Sequence, residues 1–287
     1  MTVTRHSILL TNDDGIDAPG LRAMHASLLH WIQSLGREQH FRLVVVAPDR
    51  GRSECGHSVT TGRDLRVTQR EPDWYAVDGT PVDCVRSAMT VLCPDAKLVF
   101  SGINAGANVG VDLLVSGTFA AAREASLHGL PSMAVSHYRR PEVPKTWDHT
   151  ARWLAPVLDL FADEVIEGGK RQLTNDAWNA TGVDANGPGP LWNVNLPAVD
   201  PATEMPTVAQ CEVERLPMLR AGVFRDREGG DSESQSATED SEGNSRIENV
   251  PLQIQSDFHG RPRNQGTDVE RCFSGHLTIS RLNPYPT

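Results

Sequence analysis

The chain has 287 residues and a formal net charge of −10 at pH 7, a length sufficient to bury a large core. The acidic balance, with only three lysines (Lys97, Lys145 and Lys170), argues against a protein that binds the backbone of a nucleic-acid polymer. Five cysteines without C-x-x-C spacing and the absence of any apolar run of membrane-spanning length predict a soluble, cytoplasmic protein with free thiols.

The first part of the chain reads as alternating strands and helices. The continuous apolar run Ile8–Leu10 predicts a strand covered on both faces, and it ends at the loop Asn12–Gly15. Apolar residues at spacings of three and four from Leu21 to Leu35 predict a helix, and residues 42–47 predict the next strand. Strand, helix and strand in this order indicate a βαβ unit of a parallel sheet.

The same alternation continues along the chain. We predict a helix over 81–92, a strand over 98–101, a helix over 118–128 and a strand over 133–135. The predicted fold class is therefore α/β, a Rossmann-like three-layer sandwich with a mostly parallel sheet.

The second part of the chain is predicted to extend this core. A helix is predicted over 147–165, and a strand over 191–194 either returns to the sheet or starts an appended β region. We predict a catalytic core over 1–200 and a C-terminal β extension over 201–287.

Within that extension we expect a last strand near 276–280. The acidic, Ser- and Gly-rich segment 225–249 is predicted to be disordered, as an excursion from an arm or hairpin.

Three loops that follow predicted strands carry oxygen donors, and ligands bind at this edge of an open α/β sheet. We name them the first loop (12–15), the second loop (47–58) and the third loop (101–110). Their donors are Asp13 and Asp14, then Ser53 and Ser58, then Asn104 and Asn108. Oxygen ligands of this kind suit Mg²⁺ or Mn²⁺ better than zinc or copper.

A fourth segment, Ser116–Thr118, opens a predicted helix and is a candidate phosphate site. The structural alternatives are ordinary: Ser116 and Thr118 suit a helix cap, Ser53 suits any loop, and Asn104 suits a left-handed turn. His57 in the second loop is a candidate proton donor. Placement of all these residues at one sheet edge favours a functional site.

Several phosphate chemistries are disfavoured by spacing. The chain has no G-x-x-x-x-G-K-[ST] loop, no cysteine followed by arginine six positions later, and no G-x-G-x-x-G after the first strand. Asp13-Asp14 also lacks the D-x-D spacing of enzymes that form an aspartyl phosphate. The remaining mechanism is metal-assisted hydrolysis, in which an ion polarises phosphate and lowers the pKa of a bound water.

Five ordered motifs resemble those of the survival protein E (SurE) nucleotidases. They are Asn12-Asp-Asp-Gly15 with Ala18-Pro-Gly20, Ala47-Pro-Asp-Arg50 with Arg52-Ser53, Gly79-Thr-Pro-Val-Asp-Cys-Val85, Ser101-Gly-Ile-Asn-Ala-Gly106, and Ser116-Gly-Thr118 with Ala120-Ala-Ala122. A weaker similarity, at 266–268 and 275–280, resembles the closing strand of the family.

The resemblance implies a 5′-nucleotidase: a metal-dependent phosphomonoesterase acting on nucleoside 5′-monophosphates, and in some members on 3′-monophosphates or short polyphosphate. It implies one divalent cation per subunit, Mg²⁺ or Mn²⁺, and a homodimer or homotetramer that exchanges C-terminal elements. The family's metal ligands correspond to Asp13, Asp14, Ser53 and Asn104. The expected catalytic residues are Asp13, Asp14 and Asn12, and the expected substrate contacts are Asn12, Ser58, Gly102, Ser116, Gly117 and Thr118.

Two positions depart from the family pattern. Glu54 stands where the family usually has glycine after the metal-binding serine, and Val115 stands where it usually has tyrosine. Two alternatives therefore stay open: a non-catalytic nucleotide or metal sensor, and a hydrolase of polyphosphate or sugar phosphates on the same scaffold.

Overall fold

A computed structural model describes residues 6–36, 38–166, 187–202, 205–224, 237–239, 245–247 and 251–285. The helices are α1 (Pro19–Ser34), α2 (Pro81–Ser87), α3 (Gly117–Leu127), α4 (Thr150–Val165) and α5 (Asp268–Phe273), with a π-helical turn at Ala88–Leu92 and a 3₁₀ turn at Gly110–Leu114. The strands are β1 (His6–Thr11), β2 (Phe41–Pro48), β3 (Val67–Glu71), β4 (Trp74–Val77), β5 (Ala96–Asn104), β6 (Ser132–His137), β7 (Leu191–Leu196), β8 (Val208–Gln210), β9 (Arg220–Phe224), β10 (Ala237–Glu239), β11 (Ser245–Ile247), β12 (Leu252–Ser256) and β13 (Leu277–Leu282). None of the described helices is long and apolar enough to cross a membrane.

The main sheet has nine strands in the order β3-β4-β2-β1-β5-β6-β7-β13-β8. The central strands are parallel from β4 to β7, whereas β3 pairs antiparallel with β4 and β13 pairs antiparallel with β7. The predicted α/β class with a mostly parallel sheet is confirmed. The carboxyl ends of β1, β2 and β5 therefore meet at one edge, which places the three loops together.

Helices cover both faces of the sheet. In β1, Ile8 and Leu10 pack in the large core on the side of α1 and α4, whereas Leu9 packs in a second core on the side of α2 and α3. Side chains alternate between the faces of a strand, so a continuous apolar run is needed when both faces are covered. This is the three-layer arrangement that the Ile8–Leu10 run predicts.

Most predicted elements are confirmed with shifts of one to three residues. The strand predicted over 98–101 is longer in the structure, where β5 spans Ala96–Asn104. Strand β7 returns to the main sheet beside β6, which decides between the two alternatives for residues 191–194. The predicted last strand is β13, and it too belongs to the main sheet.

The chain forms two compact units, Met1–Arg215 with Asn264–Thr287, and Leu216–Arg263. The predicted extension over 201–287 differs from this division, because β8, α5 and β13 lie within the first unit. In the second unit, β9 and β12 form an antiparallel ribbon whose side chains Val223, Leu252 and Ile254 are exposed. Of segment 225–249, residues 237–239 and 245–247 form the antiparallel pair β10–β11, and its other residues lie outside the described residues.

Candidate metal and phosphate site

The first loop is closed by Asn12. Its Nδ2 donates to the carbonyl of Gly15 (2.9 Å), and the amide of Gly15 donates back to Oδ1 (3.2 Å). Gly15 has φ +101°, and a Cβ there would lie 2.8 Å from the carbonyl carbon of Arg50, so this turn requires glycine. Asn12, a predicted catalytic and substrate residue, thus holds the tight turn that presents Asp13 and Asp14.

The second loop crosses directly beside the first. The amide of Arg52 donates to the backbone carbonyl of Asp13 (2.7 Å), so the next residue, Ser53, lies next to the carboxylate pair in the chain path. Ser53 and Glu54 are both exposed. Ser58 lies at the far end of this loop, where its carbonyl accepts a hydrogen bond from the Thr80 hydroxyl (2.8 Å).

The third loop approaches Asp14. The amide of Ala105 donates to Oδ2 of Asp14 (3.3 Å), which brings Asn104 beside that carboxylate. The Nδ2 of Asn104 donates to the carbonyl of Gly106 (2.8 Å). Because the amide nitrogen is used in this way, the side-chain oxygen is the atom of Asn104 that is left to bind a cation.

The start of α3 packs against Asp13. The hydroxyl of Thr118 donates to Oδ1 of Asp13 (2.6 Å), and a Cβ on Gly117 would lie 2.8 Å from the Asp13 Cβ. Ser116 caps the helix, because its Oγ accepts from the amide of Phe119 (3.1 Å). All three predicted phosphate residues are therefore at the site, but the hydroxyls of Ser116 and Thr118 already have protein partners.

Gly102 is required by the packing of β5 on β6. Its φ is +137°, and a Cβ there would lie 2.2 Å from the carbonyl oxygen of Val135. No side chain fits that space, so glycine at this position has a structural reason independent of any substrate.

Burial changes the acidity of the two carboxyl groups. Desolvation raises the pKa of Asp13 to about 6, the nearby Asp14 adds to this, and the hydrogen bond from the Thr118 hydroxyl opposes it. Desolvation also raises the pKa of Asp14. Among the described residues, no lysine or arginine forms an ion pair with either group.

These residues fit a hard divalent cation. Two adjacent carboxylates with raised pKa values are stabilised by a positive charge between them, and the neighbouring amide and hydroxyl oxygens are ligands of the same hard type. Within the described ranges, no three His, Cys, Asp or Glu side chains gather. The candidate set is therefore two carboxylates with an amide and a hydroxyl.

His57, the candidate proton donor, has a hydrogen-bond partner at each ring nitrogen. Its Nδ1 accepts from Nε of Arg123 (3.1 Å), and its Nε2 contacts Oε2 of Glu124 (2.9 Å). Since Arg123 can only donate, the ring proton lies on Nε2 and is donated to Glu124. Both ring nitrogens are thus engaged with α3, and His57 anchors the second loop there.

Two buried carboxylates that sequence reasoning did not single out support this region. Glu124 also contacts Arg86 (2.5 Å) and His128 (3.1 Å), and although burial acts in the opposite direction, its hydrogen bonds with His57, Arg86 and His128 lower its pKa to about 2. Asp83 accepts hydrogen bonds from the amide (3.0 Å) and hydroxyl (2.6 Å) of Thr60, just past the second loop.

A sequence signal existed for Asp83, since Thr80-Pro-Val-Asp83 is a capping box. The signal for Glu124 was an acidic residue within a helix rich in alanine, which is too common a pattern to interpret alone.

The third loop is held by side chains from β6 and β7. Asn108 donates from Nδ2 to the Ser136 hydroxyl (2.8 Å) and from its backbone amide to Oδ1 of Asn195 (2.9 Å). Its carbonyl accepts from Nδ2 of Asn193 and of Asn195, both at 3.0 Å. Asn108, an oxygen donor in the sequence pattern, therefore fixes the loop through this network.

Taken together, the fold and the site define an α/β protein with oxygen ligands for a cation at the carboxyl edge of a parallel sheet. Residues 8–217 match the family described as Survival protein SurE. A putative 5′-nucleotidase from Nostoc sp. is 35% identical over 276 residues, which cover 96% of this chain and 99% of the relative. The chain belongs to the SurE family.

Two further comparisons agree with this membership. A 5′-nucleotidase SurE from Pelobacter propionicus is 49% identical over 130 residues, 45% of this chain and 49% of that protein. The crystal structure of the SurE protein from Aquifex aeolicus matches with a TM-score of 0.67 at 27% identity, covering 98% of this chain and 94% of the other. The family resemblance of the five motifs is confirmed.

Proposed function

We propose that this chain is a 5′-nucleotidase that hydrolyses nucleoside 5′-monophosphates with the help of one divalent cation per subunit, Mg²⁺ or Mn²⁺. One observation carries the proposal: Asp13 and Asp14 project together from the carboxyl end of β1, each fixed by a residue of another site segment, Thr118 and Ala105. The name of the Nostoc relative supports the same activity.

In this proposal Asp13, Asp14, Ser53 and Asn104 hold the cation. When bound, the cation supplies positive charge for the phosphate oxygens and lowers the pKa of a water molecule. The protein's own contribution is to orient both carboxylates and to oppose, at Asp13, the rise in pKa that burial causes. Thr118 does this at Asp13, since a hydrogen bond to the charged form favours ionisation.

The start of α3 is the proposed phosphate site. Backbone amides at a helix start attract an anion, and Gly117 packs so closely on Asp13 that a Cβ there would lie 2.8 Å from the Asp13 Cβ. Gly102, Ser116 and Thr118 are proposed to shape this site, with Asn12 holding the first loop. Ser58 is proposed as a contact to the rest of the substrate.

The proposal includes an assembly of two or four identical subunits in the cytoplasm. Exposed Leu252 and Ile254 on the β9–β12 ribbon support assembly, because apolar side chains gathered on a surface favour association. The cysteines, all unpaired, support a reducing compartment. Light scattering after size-exclusion chromatography measures the mass of the assembly, and a mass of one subunit would contradict this part.

The first experiment measures phosphate release from a panel of nucleoside monophosphates with Mg²⁺, Mn²⁺ or EDTA, and compares Asp13→Asn with Asp17→Asn. Asp17 is a matched control because it removes the same charge from an exposed position just after the first loop. We expect metal-dependent release that is lost in Asp13→Asn, by more than about 100-fold, and retained in Asp17→Asn.

The alternatives give different results in the same panel. Nucleotide binding by calorimetry without phosphate release would replace the enzyme with a sensor. Faster release from polyphosphate or sugar phosphates would replace the substrate class. Full activity of Asp13→Asn would show that the ligand assignment is wrong.

A further inference from the structure

The third loop ends at Gly110, which lies midway in the sequence between Asn104 and Ser116. Gly110 has φ +57°, a left-handed conformation that favours glycine, and it begins the 3₁₀ turn that leads towards α3. A fixed Gly110 therefore limits the positions available to Asn104 and Ser116, the two ends of the segment 104–116. One end is a proposed metal ligand and the other is the start of the proposed phosphate site.

The group that fixes Gly110 comes from the far end of the chain. The amide of Gly110 donates to Oδ2 of Asp268 (2.9 Å), the first residue of α5. Oδ1 of the same carboxylate accepts from the amides of Glu214 and Val269, both at 2.8 Å. Asp268 is fully buried, and amide hydrogen bonds are what stabilise a carboxylate in such a place.

This carboxylate ties together three pieces of chain: the end of the third loop, Glu214 in the segment that follows β8, and the start of α5. Strand β13, which follows α5 in the chain, pairs with β7 in the main sheet. The hydrogen bonds of Asn108 fix the middle of the third loop, and Asp268 fixes its end.

We propose that Asp268 is a positioning residue for the cation site: through the amide of Gly110 it holds the segment from Asn104 to Ser116 in the geometry that binds the metal. It touches neither metal nor substrate. The inference rests on the proposed function for the identity of the cation site. It adds that this site depends on a residue in the last part of the chain, outside the five motifs that carry the resemblance.

The test uses Mn²⁺ binding followed by electron paramagnetic resonance, a readout that needs no turnover, together with phosphate release. Asp268→Asn keeps the shape of the side chain but replaces one accepting oxygen with a donor, so at least one backbone amide loses its partner. We expect the dissociation constant for Mn²⁺ to rise about 10-fold or more, because supporting residues around a metal site typically cost 10–100-fold when changed.

Glu214→Gln is the matched control. Glu214 is a buried carboxylate of the same region, and its oxygens accept hydrogen bonds from the amide of Arg215 (2.8 Å), from the amide and Nδ2 (3.1 Å) of Asn264 and from the hydroxyl of Thr267 (3.2 Å). We expect its Mn²⁺ dissociation constant to stay within about twofold of wild type. Equal weakening in both variants, or none in Asp268→Asn, would overturn the proposal.

Hydrogen exchange of the wild-type chain covers the case in which Asp268→Asn does not fold. The anchor predicts that the amide of Gly110 exchanges as slowly as amides within β5, since both open only with the sheet. Exchange at the rate of an exposed loop would contradict it. Wild type that binds Mn²⁺ but releases no phosphate would refute the proposed activity and leave the role of Asp268 testable, whereas no Mn²⁺ binding would overturn both.

Discussion

The second and third loops contribute to the same candidate site but are held in different ways. The second loop is anchored in its middle by the amide of Arg52 on Asp13 and near its end by His57 on α3, and its tip between these anchors, at Ser53 and Glu54, is exposed. The third loop is anchored at Asn108 by side chains of β6 and β7, and at its end by Asp268.

This difference predicts different roles for the two proposed ligands that the loops carry. Asn104 lies at the end of a central strand with its amide nitrogen already engaged, so its position is set before any cation binds. Ser53 lies on an exposed stretch of the second loop. A ligand held in place beforehand loses less entropy on binding and contributes more affinity.

The largest expected effect comes from removing the two ligands in turn. We expect Asn104→Ala to lower kcat/KM for a nucleoside monophosphate by about 100-fold and Ser53→Ala by about 10-fold, since water replaces an exposed hydroxyl more easily than a fixed amide oxygen. The measurement is phosphate release over a Mn²⁺ titration, which separates metal affinity from turnover. A larger loss for Ser53→Ala would reverse the proposed ranking of the loops.

The next effect concerns the anchor of the second loop. Glu124→Gln removes the charge that holds His57 and Arg86. We expect the free energy of unfolding to fall by about 2 kcal/mol, less than for a fully buried ion pair because Arg86 is about half exposed. Urea unfolding measures the change.

Glu71→Gln is the control for that variant, because its ion pair with Arg22 is exposed on both sides and such pairs contribute about 0–1 kcal/mol. The pKa of Glu124 is lowered to about 2, so its contribution is present above pH 4.5 and is lost as the pH falls towards 2. Equal losses in Glu124→Gln and Glu71→Gln would show that Glu124 is not an anchor.

Local patterns in the sequence predicted most of the fold of residues 6–137, although β3 and β4 were not predicted. Strand β1 has both faces buried, which requires a continuous apolar run, and α1 has one apolar face at helical spacing. The sequence did not predict that β7 lies beside β6 or that β13 returns antiparallel to β7. Such pairings depend on residues far apart in the chain, and no local pattern encodes them.

The same limit applies to the site. Asp13, Asp14 and Asn104 were found because acids and amides directly after buried strands are a local pattern. Asp268 was not assigned a role, because its partner Gly110 is far away in sequence and a buried carboxylate at a helix start resembles any helix cap.

A third prediction uses pH to test two buried histidines, His137 and His149, which lie near the residues that hold the third loop. His137 ends β6, next to Ser136, which holds Asn108. Its Nδ1 donates to the carbonyl of Tyr138 (2.9 Å), and its Nε2 accepts from Nε2 of His149 (2.8 Å). Protonation would place two N–H groups face to face. Burial lowers the pKa of His137 to about 3 and that of His149 to about 4.

Because both folded pKa values lie below the usual 6.5, the unfolded chain takes up protons first as the pH falls. The contribution of the two neutral histidines to the free energy of unfolding is therefore complete above pH 6.5. Below pH 6.5 it is lost at about 1.4 kcal/mol per pH unit for each histidine. Urea unfolding between pH 7 and 5 should show a shallower dependence for His149→Gln than for wild type. The exposed His30→Gln should not differ, and an unchanged slope in His149→Gln would refute the assignment.

The smallest expected effect comes from Glu54, at the exposed tip of the second loop. Its charge lies one residue from a proposed cation ligand and near the path of an anionic substrate. If Glu54 does not itself bind the cation, the only effect of its charge is repulsion of the substrate. Glu54→Gly should then lower KM for a nucleoside monophosphate by about two- to threefold at low salt, and the effect should shrink as the Debye length falls to about 10 Å at 0.1 M salt.

Glu38→Gln is the matched control, because it removes one exposed charge just before β2, at the opposite edge of the sheet. Steady-state kinetics at two ionic strengths distinguish two roles for Glu54. A lower KM in Glu54→Gly alone places the charge on the substrate path. A higher requirement for Mn²⁺ in Glu54→Gly would mean that the second loop closes on the cation and that Glu54 contributes to binding, so its tip would then be ordered by the metal.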